Sequence, residues 1–222
     1  MIIEVADRDY NDSAKNYAEE WRSLDEALYR VCRDFPAHDK KGGINAKVYL
    51  IGRTYSTGIE RRIKSDGTPG SAMTKLADCF AEHGVELDSL INDTSRLAEP
   101  LTLEGIVELL IAHEKLVRIL MSITVNGNRP RSFVSKYLHF HNPVFPIYDS
   151  VARREIGQIV PSHAIRSIDF KDDGLVDLEY ADYLKRFFTL YRHLQERGLI
   201  VSVRSLDFYL IGRPSVRNHQ QQ

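Results

Sequence analysis

Hydrophobic residues recur at three- and four-residue spacing along most of the chain, which is the repeat of one face of an α-helix. The first such stretch follows the polar residues 11–13, which can cap a helix, and it runs to about Arg33. Later stretches begin at Ser71, Thr102, Ser132, Asp149, Tyr180 and Leu206. The pattern predicts an all-α protein, built as a compact, irregular helical bundle.

The segment from Val48 to Ile63 admits two interpretations. Its apolar residues keep helical spacing throughout, whereas Val48–Ile51 alone could form a short strand that ends at Gly52. We favour the helix, so the predicted fold has at most one short strand. Lys40–Gly43 is expected to be a flexible loop, and Gly84 is expected to end the helix that starts at Ser71.

Length and composition favour one helical domain over residues 1–214, with lobes 1–98 and 99–214 as an alternative and a disordered tail over 215–222. The net charge of -1 gives no overall positive field. Two isolated cysteines form no zinc or disulfide pattern, which favours reduced thiols and a cytoplasmic protein. The sequence shows no signal peptide and no membrane-spanning run, and it implies no cofactor.

The most informative stretch is RPRSFVSKYLHFHNPVFPIYDSVARR, from Arg129 to Arg154. Lys136 lies on its predicted helix, and Asp149 stands where the next helix is expected to begin. The two side chains can meet across the intervening loop. Such a pair suits covalent amine chemistry, because an amine attacks only when neutral and a nearby carboxylate can accept its proton.

This stretch resembles the lysine-to-aspartate segment of the helix-hairpin-helix DNA glycosylases. The resemblance implies a helical hairpin on the DNA backbone, Lys136 as the nucleophile at the sugar of a flipped nucleotide, and Asp149 as its assistant. The turn from Asn126 to Pro130 has one glycine where that superfamily has two, and the spacing from lysine to aspartate is shorter. The segments IGRTYSTGIERR and RSLDFYLIG resemble bacterial proteins and imply no activity.

Six basic residues are candidates for holding DNA phosphates. They are Arg129, Arg131, Arg153, Arg154, Arg61 and Arg62. A basic helix face exposed to solvent would explain the same residues without DNA.

The other candidates also have plain structural interpretations. Lys136 could point to solvent from an amphipathic helix, and Asp149 could serve only as a helix cap. His139 and His141 could join Asp149 as metal ligands, but histidines buried in the core would explain them as well.

The sequence thus predicts a DNA-binding protein related to the helix-hairpin-helix glycosylases that could cleave an N-glycosidic bond. The alternative is a helical module that binds nucleic acid or protein without catalysis. The sequence identifies neither the substrate base nor the oligomeric state.

Overall fold

The structure is a computed structural model, and it describes residues 7–165 and 176–213. The tail predicted for residues 215–222 lies outside them. The described residues form nine α-helices and three short 3₁₀ turns, which confirms the all-α class. The helices are α1 (Asp7–Asp34), α2 (Lys41–Thr54), α3 (Ser71–Glu82), α4 (Gly84–Thr94), α5 (Leu103–Met121), α6 (Arg131–His141), α7 (Ser150–Ile159), α8 (Leu178–Glu196) and α9 (Val203–Gly212).

Helices α5, α6 and α8 supply most of the centre of the core, because their apolar faces are almost completely buried. Helix α1 packs along α9, and α6 contacts α1, α2 and α5. The first and last described helices therefore lie side by side. In this arrangement α6, which carries Lys136, is surrounded on several sides.

Three local predictions were wrong. Helix α1 begins at Asp7, so the polar residues 11–13 lie inside it instead of capping it. Helix α2 begins at Lys41, where a flexible loop was expected. The predicted helix from Val48 to Ile63 is interrupted after Thr54, because Ser56 has a φ of 46°, outside the helical region.

No strand occurs in the part of the chain that the structure describes. Val48–Ile51 is helical, and the sole β-like feature there is an isolated bridge between Ile63 and Thr124. This bridge ties the segment after α2 to the turn that joins α5 and α6. None of the described helices combines the length and the apolar character that a membrane crossing needs.

Candidate functional site

The loop between α6 and α7 is held in place by two buried tyrosines of α8. The Tyr180 hydroxyl donates to the carbonyl of Pro146 at 2.8 Å, and the Tyr183 hydroxyl donates to that of Ile147 at 2.8 Å. Aromatic residues at three-residue spacing on one helix face can both reach the same neighbouring segment. The aromatic stripe of α8 therefore anchors the loop that leads to Asp149.

Helix α6 holds the same loop from the other side. The Ser135 hydroxyl oxygen accepts a hydrogen bond from the backbone N–H of Tyr148 at 2.9 Å. His139 Nδ1 lies 2.8 Å from the carbonyl oxygen of Phe145, which can only accept, so Nδ1 carries the proton. Its Nε2 must then accept from the Tyr29 hydroxyl at 2.6 Å. His139 is a structural residue whose two nitrogens are both occupied.

These contacts bring Lys136 and Asp149 together. Lys136 Nζ lies 3.3 Å from Asp149 Oδ2, and it also donates to Ser132 Oγ at 3.1 Å and to the Tyr55 carbonyl at 3.4 Å. Asp149 Oδ1 accepts from the backbone N–H of Val151 at 2.8 Å, so this residue caps α7 as predicted. One carboxylate oxygen of Asp149 therefore caps α7, and the other faces the amine of Lys136.

The pair is asymmetric in its access to solvent. The Lys136 side chain is 2% exposed, whereas that of Asp149 is 26% exposed. Burial lowers the pKa of Lys136, although the adjacent Asp149 acts in the opposite direction. The prediction that Lys136 could point to solvent is therefore wrong. The amine is buried, and Asp149 is the side from which another molecule can approach.

A buried cluster on α9, which sequence reasoning missed, lies next to the pair. Arg204 makes hydrogen bonds of 2.7 and 2.8 Å to the carboxylate of Asp25 and pairs with Asp207 in the next turn of its helix. Its Nη2 also donates to the Tyr55 hydroxyl at 2.8 Å. Lys136 Nζ lies 5.6 Å from the centre of the Tyr55 ring, and the Arg204 guanidinium carbon lies 5.8 Å from it.

This cluster changes the electrostatics of the amine. Arg204 is a further cause of the lowered pKa of Lys136, because two nearby cations repel. Burial raises the pKa of the Asp207 carboxyl to about 6, against the opposing effects of Arg204 and Lys136. The arginine that acts on Lys136 lies on the last described helix.

Two of the predicted phosphate-binding arginines are engaged by acidic side chains of the protein. Arg129 pairs with Asp177 at 2.5 Å and with Glu114. Arg131 pairs with Asp177 at 2.8 Å and with Glu179 at 2.8 Å. Arg131 is a principal reason why the pKa of Asp177 is held at about 2 although burial opposes it. These arginines link the turn before α6 to the start of α8.

The two arginines that follow Asp149 are more accessible. Arg153 is 58% exposed and lies 3.3 Å from Glu179, and Arg154 is 55% exposed and lies 3.0 Å from Glu155. Both line a surface cleft of about 560 Å³ between α7 and α8. Neither Lys136 nor Asp149 lines this cleft. The arginines lie near the pair in sequence but face a separate depression.

Arg61 and Arg62, the remaining phosphate candidates, are exposed after the break in α2. Arg62 donates a hydrogen bond to the side chain of Asn128, in the turn before α6. His141, the second metal candidate, lies with its ring centre 5.0 Å from that of Tyr137. Over the described ranges, no group of three or more His, Cys, Asp or Glu side chains could hold a metal ion.

A family model described as HI_0787_N, an N-terminal domain, matches residues 7–145. No curated protein and no solved structure matches the chain. The matched segment includes Lys136 but ends before Asp149.

Proposed function

We propose, for a chain that belongs to the HI_0787_N family of N-terminal domains, that Lys136 is an amine nucleophile acting on a flipped nucleotide in DNA. The observation that carries the proposal is the buried amine of Lys136 at 3.3 Å from the half-buried carboxylate of Asp149. An amine with a lowered pKa and an adjacent proton acceptor has the two properties that a nucleophilic lysine needs.

The proposed step is displacement at the sugar carbon C1′. The neutral amine of Lys136 attacks C1′, the C1′–N bond breaks, and its electron pair leaves with the base, which takes a proton from solvent. Asp149 accepts the proton that the attacking nitrogen loses. The C1′–O4′ bond then opens as the nitrogen forms a C=N bond, and O4′ takes up a proton. Water later hydrolyses this Schiff base and frees the amine.

Arg204 has a supporting role in this proposal. Its guanidinium is fixed by Asp25 and Asp207, so it cannot move away from the neighbourhood of Lys136. A fixed cation opposes protonation of the lysine and so increases the fraction that can attack. Asp149 balances this effect by stabilising the cationic intermediate.

In this proposal the DNA phosphates are held in the cleft between α7 and α8, next along the chain to Asp149. Arg153 and Arg154 are the best placed of the predicted arginines, because they are more than half exposed and follow Asp149 on α7. Arg129 and Arg131 contribute less, since their guanidinium groups already bind Asp177.

The test is reduction of the Schiff base by borohydride on a DNA duplex that carries an abasic site. The amine condenses with the C1′ aldehyde and releases water, and hydride addition turns the C=N bond into a stable secondary amine. We expect a protein–DNA cross-link with the wild type, and a loss on the order of 100-fold with Lys136→Met or Lys136→Arg. Peptide mass mapping should place the adduct on residue 136.

The matched control is Lys47→Met, because Lys47 is a second fully buried lysine with a lowered pKa. This variant should cross-link as the wild type does. The nucleophile assignment fails if Lys136→Met cross-links as efficiently as the wild type, with circular dichroism showing that the variant is folded.

One observation favours a second candidate function, a nucleic-acid-binding module without catalysis. The Lys136 ammonium already donates to Asp149, Ser132 and Tyr55, which is the arrangement of a structural buried ion pair. Such a module would bind DNA more weakly at high salt and would form no borohydride adduct. Binding measured by fluorescence anisotropy at two salt concentrations, beside the trapping assay, separates the two functions.

A further inference from the structure

A second cluster of polar side chains lies under the wall of a cleft on another face of the molecule. The cleft has a volume of about 680 Å³, within the range of small-molecule sites. Its walls come from the end of α1, from α4 and from the end of α6. They combine apolar residues with an arginine, an aspartate, an asparagine and a histidine, and the lining residues used below are Arg33, Ala37, Asp88, Asn92, Phe140 and His141.

Behind the wall, Lys47 of α2 is completely buried. Its Nζ lies 3.3 Å from the carbonyl oxygen of Ala37 and 3.1 Å from His38 Nε2. Among the described residues, no carboxylate forms an ion pair with it, in contrast to Lys136. A buried ammonium without an adjacent anion is costly, and burial lowers the pKa of Lys47 to about 8.

The acceptors within reach of Lys47 are few. The Asp88 carboxylate accepts from His38 Nδ1 at 2.6 Å and from the His38 backbone N–H at 3.2 Å, and it forms no ion pair with Lys47. His38 Nε2 has a single site for a hydrogen bond, yet the Tyr137 hydroxyl at 2.6 Å and Lys47 both approach it. An ammonium has three N–H groups, and Lys47 meets two acceptors among the described residues, so at least one N–H lacks a partner there.

His141 provides an independent sign of a missing partner. It lines the cleft, its ring centre lies 5.8 Å from that of His38, and its buried Nε2 has no hydrogen-bond partner among the described residues. Buried polar atoms in native proteins are almost always satisfied by protein, water or ligand. An acceptor-rich group in the cleft would lie beside the His141 ring and near Lys47, whose charge acts on that histidine.

We propose that this cleft binds a small molecule through a carboxylate or phosphate group, which Lys47, His141 and Arg33 hold. Asn92 adds an amide donor at the rim, and Phe140 packs against an apolar part of the ligand. Lys47 does not line the cleft, but its ammonium lies 3.3 Å from the carbonyl oxygen of Ala37, which does. In this proposal Lys47 reaches the anion past Ala37, since its long side chain can redirect the ammonium without moving α2. This site is separate from Lys136 and does not depend on the proposed DNA chemistry.

The probes are the anions benzoate and phenyl phosphate. Benzyl alcohol, which has the same aromatic ring but no charge, is the neutral control. Isothermal titration calorimetry at pH 7 should show binding of at least one anion and none of the alcohol. The anion that binds more tightly identifies the head group. In Lys47→Met and in His141→Phe the affinity should fall at least about tenfold, whereas the exposed-lysine control Lys75→Met should bind as the wild type does.

A pH titration of the wild type gives a readout that needs no variant. The charged and titratable groups around Lys47 are His38, Asp88, Asp39 and Cys32, with His141 and Arg33 at the cleft. Burial raises the pKa of Cys32 to about 12, and the pKa of both histidines is lowered, so Lys47 is the group that loses charge between pH 7 and 9. Anion affinity should fall by up to about tenfold over this range.

The proposal is overturned if both anions bind no better than benzyl alcohol. It is also overturned if folded Lys47→Met and His141→Phe proteins both keep wild-type affinity. These outcomes are independent of borohydride trapping, so each proposal can fail alone.

Discussion

The two buried lysines show how differently one protein can treat the same side chain. Lys136 has a carboxylate at 3.3 Å, whereas Lys47 has an imidazole at 3.1 Å and a backbone carbonyl. The carboxylate of Asp149 reaches Lys136 from a loop, but His38 reaches Lys47 from the short segment between two helices. Burial alone therefore does not define the role of a lysine, because the neighbouring groups decide whether its charge is compensated.

We expect the largest change in the free energy of unfolding from the protonation of Lys47, the buried lysine that has no carboxylate partner. The folded-state pKa of Lys47, about 8, lies below the ordinary 10.5, so the unfolded chain binds more protons between these values. Stability therefore rises as the pH increases through this window, by about 3 kcal/mol in all. The stability gained when Lys47 loses its proton is lost again as the pH falls through 8.

Urea unfolding of the wild type and Lys47→Met between pH 7 and 9.5 measures this contribution. We expect the variant to be at least as stable as the wild type at pH 7. Its stability should increase less between pH 7 and 9.5 than that of the wild type. Equal slopes of stability against pH in the two proteins would show that Lys47 is not the titrating group.

The next effect concerns the loop that delivers Asp149. Tyr183→Phe removes the hydroxyl that binds the carbonyl of Ile147 and leaves this buried acceptor without a partner. We expect a loss of about 2 kcal/mol in the free energy of unfolding, measured by urea titration. Tyr191→Phe on the same helix is the control, because its hydroxyl makes a longer contact of 3.3 Å to Glu99. A loss no larger than that of the control would mean that the loop is held by its other contacts.

We expect the smallest effect from Arg204, the cation near Lys136, and it should appear in the pH dependence of trapping. Arg204→Lys keeps a cation near the site, whereas Arg204→Met removes it and leaves two carboxylates behind. We expect the pH at which borohydride trapping is half-maximal to rise by about one unit in Arg204→Met and to change little in Arg204→Lys. A pH profile that does not move in Arg204→Met, while its overall yield falls, would indicate a purely structural role.

Sequence reasoning located Asp149 because its signals are local. An aspartate before Ser150 at the start of an amphipathic stretch is a helix cap, and the proline-containing loop after α6 returns the chain to Lys136, which lies thirteen positions before Asp149. The partners of a residue within one such hairpin can be inferred from spacing. Arg204, Asp25 and Tyr55 come from distant parts of the chain, and no local pattern connects them.

Two glycines have a packing role that their local pattern does not show. The helix from Ser71 ends at Glu82, just before Gly84 as predicted, but Gly84 also begins α4, and a Cβ there would lie 2.6 Å from the carbonyl oxygen of His38. Gly43 was expected in a flexible loop, but it lies in α2, where a Cβ would lie 2.9 Å from the Phe35 side chain. Both glycines allow a helix to pack closely against the segment between α1 and α2, a requirement that becomes visible only when the helices are assembled.

The side-by-side packing of α1 and α9 has a consequence for anyone who shortens the protein. A fragment that ends at residue 145, the limit of the family match, would lack α9 and strip the cover from an apolar face of α1. It would also lack Asp149 and Arg204, so Lys136 would lose both its acid partner and its neighbouring cation. The boundary recognised by similarity therefore cuts through a unit whose parts depend on one another for packing and for the surroundings of Lys136.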